Sequence, residues 1–328
     1  MVKKPDMFLS VGWKNGCARF LLTVLLLVGQ THCLFAGPKQ KWVAFDLSLG
    51  AGYSTLGYHV QSADMFTANA TGSWGMRAGV GVSYFLSDYF GMGIGASLTR
   101  FGGGMSLKGS MVWEGVTDTD GERYDHLLQI NRWRETQQQL FLAPNLTLQS
   151  AFPVGNVRML LRLGAEYAFS LQASYRGYGE LTHTGYYHFG NLTLHDIDKY
   201  GFYTTDRFQP SGELDADVQQ VSVIGAVGVG IPMAKKIELS IAVEAAYAVW
   251  SSAAPSAGGQ NPIGFHENVS SQGGQDYHYF IPDYVSLTTT SLVNGKIRPF
   301  YIGLQVGLRF CILQRKRYPC MCFDPSVL

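Results

Sequence analysis

The chain has 328 residues, 46% of them hydrophobic and only 15% charged, with 39 glycines, 13% aromatics and a net charge of +1. An ordinary soluble domain is about 25% charged, and a near-neutral chain gives no electrostatic case for binding nucleic acid. High glycine with high aromatic content suits an all-β protein better than a helical one.

No apolar run reaches the roughly 20 residues that a spanning helix needs. The longest, 20–28, follows Lys3, Lys4, Lys14 and Arg19 and precedes Leu34-Phe35-Ala36. That order describes a secretory signal peptide over 1–36, cleaved near Ala36–Gly37, rather than a retained anchor. Cys33 does not read as a lipidation site, because Gln30-Thr31-His32 stand where small and aliphatic residues belong. Removing the leader's four basic residues and Asp6 shifts the net charge to about −2, and export itself argues against the cytosol.

Eight runs then alternate apolar and small or polar residues with period two, each longer than a usual soluble strand. They cover 42–53, 74–86, 89–101, 137–152, 157–175, 218–231, 237–250 and 297–310. In the second, Met76, Val80, Val82 and Tyr84 face away from Arg77, Gly79, Gly81 and Ser83. In the last, Phe300, Ile302, Leu304, Val306, Leu308 and Phe310 oppose Tyr301, Gly303, Gln305, Gly307 and Arg309. Three connections are tight (87–88, 153–156 and 232–236), and four are long (54–73, 102–136, 176–217 and 251–296). Even strand number, with tight turns at one end and long loops at the other, is the pattern of a transmembrane barrel. The expected fold is therefore all-β, an eight-stranded antiparallel up-and-down transmembrane β-barrel with four long extracellular loops and three short periplasmic turns. It would occupy 37–310, leaving 311–328 as a periplasmic cysteine-containing tail.

Aromatics near strand ends (Tyr53, Trp74, Tyr84, Tyr89, Tyr167, Trp250, Phe300 and Phe310) would form interfacial girdles. Pro144 cannot donate to a ladder and predicts a bulge or kink in the fourth strand. The Gly91–Gly95 and Gly102-Gly103-Gly104 runs precede no helical pattern, so they read as small lumen residues and a loop hinge rather than phosphate loops.

An eight-stranded lumen is just wide enough for side chains to fill it. The inward set includes Asp46, Arg77, Arg158, Arg162, Glu166, Glu238, Glu244, Gln305 and Arg309. Isolated charges there are costly and must pair. Asp46 and Arg309 fall on strands that become neighbours when the barrel closes, and Glu166 can meet Arg77 or Arg162. A filled polar core and a switchable ionic plug are the two readings, and the little room favours the first.

All seven histidines beyond the leader are expected in loops, with His183, His188, His195 and Asp196 gathered in the third. A His–Asp pair can act as a general base, and imidazoles with a carboxylate can hold a metal. The spacing matches no ligand signature, so the expectation is no metal, no cofactor and no catalytic set, with lipid- or peptide-modifying enzymology as the alternative. The tail carries Arg315-Lys316-Arg317 and the Cys320-Met321-Cys322 pair, which would suit a redox or docking element or none.

The alternating strands, the Leu140–Leu146 stretch LFLAPNL and the closing GLQVGLRF up to Phe310 resemble the PorT-like outer-membrane β-barrel family of Gram-negative envelopes. Ala143 departs from the usual Ile of that motif. The resemblance implies outer-membrane location, insertion by the barrel assembly machinery through a C-terminal strand signal at Phe310, and surface-exposed loops. It carries over no catalytic residue. The function expected is a non-enzymatic, porin-like but filled barrel that serves envelope structure or loop-mediated binding in the bilayer. A periplasmic partner for the tail, as in an export-complex subunit, is the further alternative.

Overall fold

The computed structural model describes residues 42–60, 66–87, 89–118, 121–197, 201–214, 217–234, 236–252, 263–272, 275–284, 286–287, 293–294 and 297–314. The expected leader and the Cys320–Cys322 pair lie outside them. Eight long antiparallel strands form one ring: β1 Trp42–Thr55, β2 Phe66–Phe85, β3 Phe90–Thr117, β4 Arg123–Val154, β5 Val157–Tyr187, β6 Gln219–Ala234, β7 Ile237–Ser251 and β8 Phe300–Gln314. Each pairs with its sequence neighbours, and β8 pairs with β1, so every strand is hydrogen-bonded on both edges.

Period-two alternation decides which face each residue takes. Apolar side chains point outward on all eight strands, among them Leu49, Trp74, Ile94, Leu146, Tyr167, Val227, Val243 and Leu304; Trp74 is 79% exposed and Ile94 65%. Their alternates Arg77, Glu166, Glu244 and Gln305 are buried inside. The apolar belt extends along β1 from Phe45 to Tyr53, about 25 Å of strand at ~3.3 Å per residue. Aromatic pairs mark its lower edge, Phe45 with Phe310 and Tyr89 with Phe152, and Tyr167 with Phe169 marks its upper edge.

The long connections differ from their expected form. Much of 102–136 is strand rather than loop: β3 continues to Thr117 and β4 begins at Arg123, and between them the Asp118 carboxylate accepts from the Glu122 amide at 2.8 Å. The third connection likewise begins as strand, since β5 runs to Tyr187. Gly102, Gly103 and Gly104 are therefore strand residues and not a hinge; a Cβ on Gly103 would meet Leu56 at 2.9 Å. Together β3, β4 and β5 rise above the belt as a wall. Above Phe169, β5 loses β6 as a partner, and the short strands Leu192–Leu194, Thr204–Phe208 and Ser211–Glu213 cover that edge. An uncovered edge would be a template for aggregation.

Pro144 interrupts the β4–β5 ladder, which resumes at Asn145 opposite Glu166 in unchanged register. The register shift lies nearby instead, between Leu140 and Phe141, where Leu171 of β5 has no opposite partner. This one-residue bulge reverses the alternation on β5. Below it Glu166 and Ala168 face inward, and above it Ala173, Leu181 and His183 do. The expected alternation through residue 175 is broken by this reversal.

Candidate functional site

Among the described residues, four carboxylates and four guanidiniums pair in two tiers of the lumen. In the upper tier Arg77 of β2 reaches across to β5, where its Nη1 donates to Glu166 Oε1 at 3.3 Å and its Nη2 to Glu166 Oε2. Its Nε lies 3.5 Å from Glu244 Oε1 on β7. Arg162 donates to Glu244 at 3.0 Å and to Gln305 at 2.6 Å. Neither β5 nor β7 adjoins β2, so Arg77 ties opposite sides of the ring.

In the lower tier Arg309 donates to Asp46 at 2.7 Å, to Glu238 at 3.5 Å and to Gln149 at 2.7 Å. Register explains two of these bonds, since Arg309 stands opposite Asp46 on one side and Glu238 on the other. Ser83 donates to the second Asp46 oxygen, and Arg158 lies 3.4 Å from Glu238 at the lower mouth. Below, Trp42 and Phe85 stack at 3.8 Å, with Arg158 over the first ring and Arg309 over the second. Cation–π contact of this kind favours the desolvated guanidinium.

Small residues make room for these side chains. A Cβ on Gly93 would fall 2.7 Å from Thr147 Oγ1, and one on Gly303 would fall 2.3 Å from Tyr301 Oη. What space remains includes two cavities of about 40 Å³, both bordered by Asp46, Gln149, Arg162 and Gln305. Each has room for about one or two waters.

Above the charges, Leu56, Tyr58, Leu287 and Ile297 from the connections pack against Phe101, Met105, Leu128, Trp133 and Tyr301. Glu135 of β4 fastens this cap. Its buried carboxylate accepts from Ser286 Oγ at 2.7 Å, from the Leu287 amide at 2.9 Å, and from Tyr284 Oη and Gln137 Nε2. Trp133 Nε1 donates to the same Tyr284 hydroxyl at 2.9 Å. Burial first, and Glu135 second, raise the Tyr284 phenol far above its usual range, so it stays a donor. Multiple donors to the charged form are what make a buried carboxylate tolerable.

The four expected loop groups do not assemble. His183 lies on β5, not in a loop, and faces inward against His126 of β4, with Nε2 of His126 3.0 Å from Nδ1 of His183. Trp113, Tyr124 and Phe202 surround His126, and the Tyr203 ring lies tilted 5.0 Å from that of His183. Burial depresses His126 to about 3, helped by His183, and His183 to about 4. Both imidazoles are neutral near pH 7, one donating and one accepting. His188 is exposed in the following turn, 2.9 Å from Asp125; His195 and Asp196 are exposed beyond it. No group of three or more His, Cys, Asp or Glu side chains with metal-holding geometry occurs among the described residues. Phe310 does not end its strand, which continues to Gln314.

Glu135, Gln137, Tyr284 and the His126–His183 contact were not anticipated. The inward set Tyr124, His126, Leu128, Ile130 was a readable period-two signal, but Glu135 and Gln137 alternate with equally polar Arg134, Thr136 and Gln138. No periodicity in polarity distinguishes the two faces there.

The fold is that of an antiparallel eight-stranded β-barrel with an apolar exterior and a polar interior. Among solved structures, the outer membrane protein OprG from Pseudomonas aeruginosa aligns over 80% of this chain and 95% of its own, at 14% identity and a TM-score of 0.29. A major outer membrane protein from Thermus thermophilus aligns over 82% and 99%, at 12% identity and a TM-score of 0.31. The outer membrane protease OmpT from Escherichia coli aligns over 84% and 97%, at 9% identity and a TM-score of 0.26. No family model and no curated protein matches the chain. The PorT-like resemblance thus rests on its strand motifs alone.

Proposed function

We propose that the protein is an integral outer-membrane β-barrel without enzymatic activity, sealed by its lumen charges, that presents the β3–β5 wall and its cap as a rigid binding surface. One observation carries this reading: a belt of exposed apolar side chains runs round all eight strands while four acid and four basic groups pair inside. Water would favour the reverse arrangement, whereas hydrocarbon demands it, because lipid can satisfy neither charges nor backbone groups. The wall supplies the binding function. Its hydrogen-bonded strands and packed inner face hold projecting residues in fixed positions, which lowers the ordering cost of recognition.

The leader-free chain is expected to need detergent for solubility and to migrate faster on a denaturing gel when unboiled. A monodisperse, folded chain in plain buffer would sink the reading. In planar bilayers the wild-type protein should show no sustained conductance; a steady open pore would remove the sealed lumen and leave the barrel.

A further inference from the structure

The bulge at Leu171 that turns His183 inward also turns Arg176 and Tyr178 outward, onto the lipid-side face of the wall. There they border a groove of about 720 Å³ with Arg134, Gln138, Ser174 and Ser211. Register sets Arg134 opposite Tyr178 and Arg176 opposite Thr136, so the two guanidiniums lie on adjacent strands two residues apart in register. Both are exposed, and among the described residues neither has a carboxylate within ion-pair distance. Glu213, opposite Ser174, pairs with neither of them. One strand over, Arg100 donates to the side-chain amide oxygen of Gln138 and adds a third cation at the groove's lower edge. Leu98, Leu142, Phe169 and Leu171, the top of the apolar belt on these strands, are exposed directly beneath.

We propose that this groove binds the phosphorylated sugar headgroup of a glycolipid whose acyl chains lie on the belt below. Arginines that have no carboxylate partner among the described residues, set over a hydrocarbon-facing surface, call for an anion that is itself anchored in the membrane. The planar guanidinium fork matches phosphate oxygens. The volume exceeds a lone phosphate, and the amide and hydroxyl groups of Gln138, Ser174 and Ser211 suit the hydroxyls of a sugar. The proposal rests on the membrane reading above.

The test is native mass spectrometry of the full chain released from detergent micelles, with lipid A, its dephosphorylated form and inorganic phosphate as probes. Lipid A should be retained about tenfold better than the dephosphorylated lipid, and R134Q/R176Q should lose about that factor. An excess of inorganic phosphate should leave the adduct in place. Equal retention of the two lipids, unchanged retention by the variant, or displacement by inorganic phosphate would each overturn the proposal. Both positions are exposed, so the variant should keep the wild-type gel shift between unboiled and boiled samples; a chain that folds without detergent would fail the membrane reading instead.

Discussion

Arg77 shows how one side chain can hold a barrel across its width. It engages Glu166 and Glu244 from a strand adjacent to neither, and all three are buried. Removing one partner from a buried ionic group leaves uncompensated charge, which costs about 3–5 kcal/mol, while replacing the whole group by apolar residues is often neutral. R77M should therefore lower the unfolding free energy in detergent by about that amount, and R77M/R162M/E166L/E244L, which removes the whole group including the Arg162 that also holds Glu244, should recover most of the loss. Glu135 poses the same problem with a different solution, since four donors rather than a cation satisfy it. E135A should cost about 1–3 kcal/mol locally and release the cap, read as faster hydrogen exchange at the Leu287 amide.

At the scale of strands and hairpins, the wall formed by β3, β4 and β5 carries its own pH dependence. His126 and His183 are held at about 3 and about 4 in the folded wall, against about 6.5 when unfolded. The unfolded state then binds more protons below pH 6.5, so stability contributed by this pair is full above that pH. It falls as the pH drops toward 4 and levels off below both folded values. Thermal unfolding of the hairpin followed between pH 7 and 4 should show this decline, and H126Q/H183Q should flatten it. The belt strands were legible in the sequence because Met76, Val80, Val82 and Tyr84 alternate with glycine and arginine. The wall was not, because residues 134–138 are polar on both faces and only packing against Tyr284 and Leu287 tells them apart. His183 was misplaced for a second reason: a bulge of one residue is invisible to periodicity, yet it exchanges the faces of every residue after it.

For the molecule as a whole, the decisive contrast is between an apolar outside and a charged inside. An arginine placed at Leu49, exposed in the middle of the β1 belt, should cost about 2–4 kcal/mol when the barrel is folded in a bilayer. The same substitution should cost little in an aqueous loop, and equilibrium unfolding from lipid vesicles separates the two. The ring also joins its first strand to its last, for Arg309 and Asp46 meet across 263 positions of sequence. A chain that stops before its final strand would leave Asp46 and Glu238 without that guanidinium, and would offer two bare edges to whatever surrounds it. The molecule thus carries a built-in test of completeness: unfinished copies differ from finished ones in charge and in exposed backbone, the very marks by which proteases and chaperones sort clients.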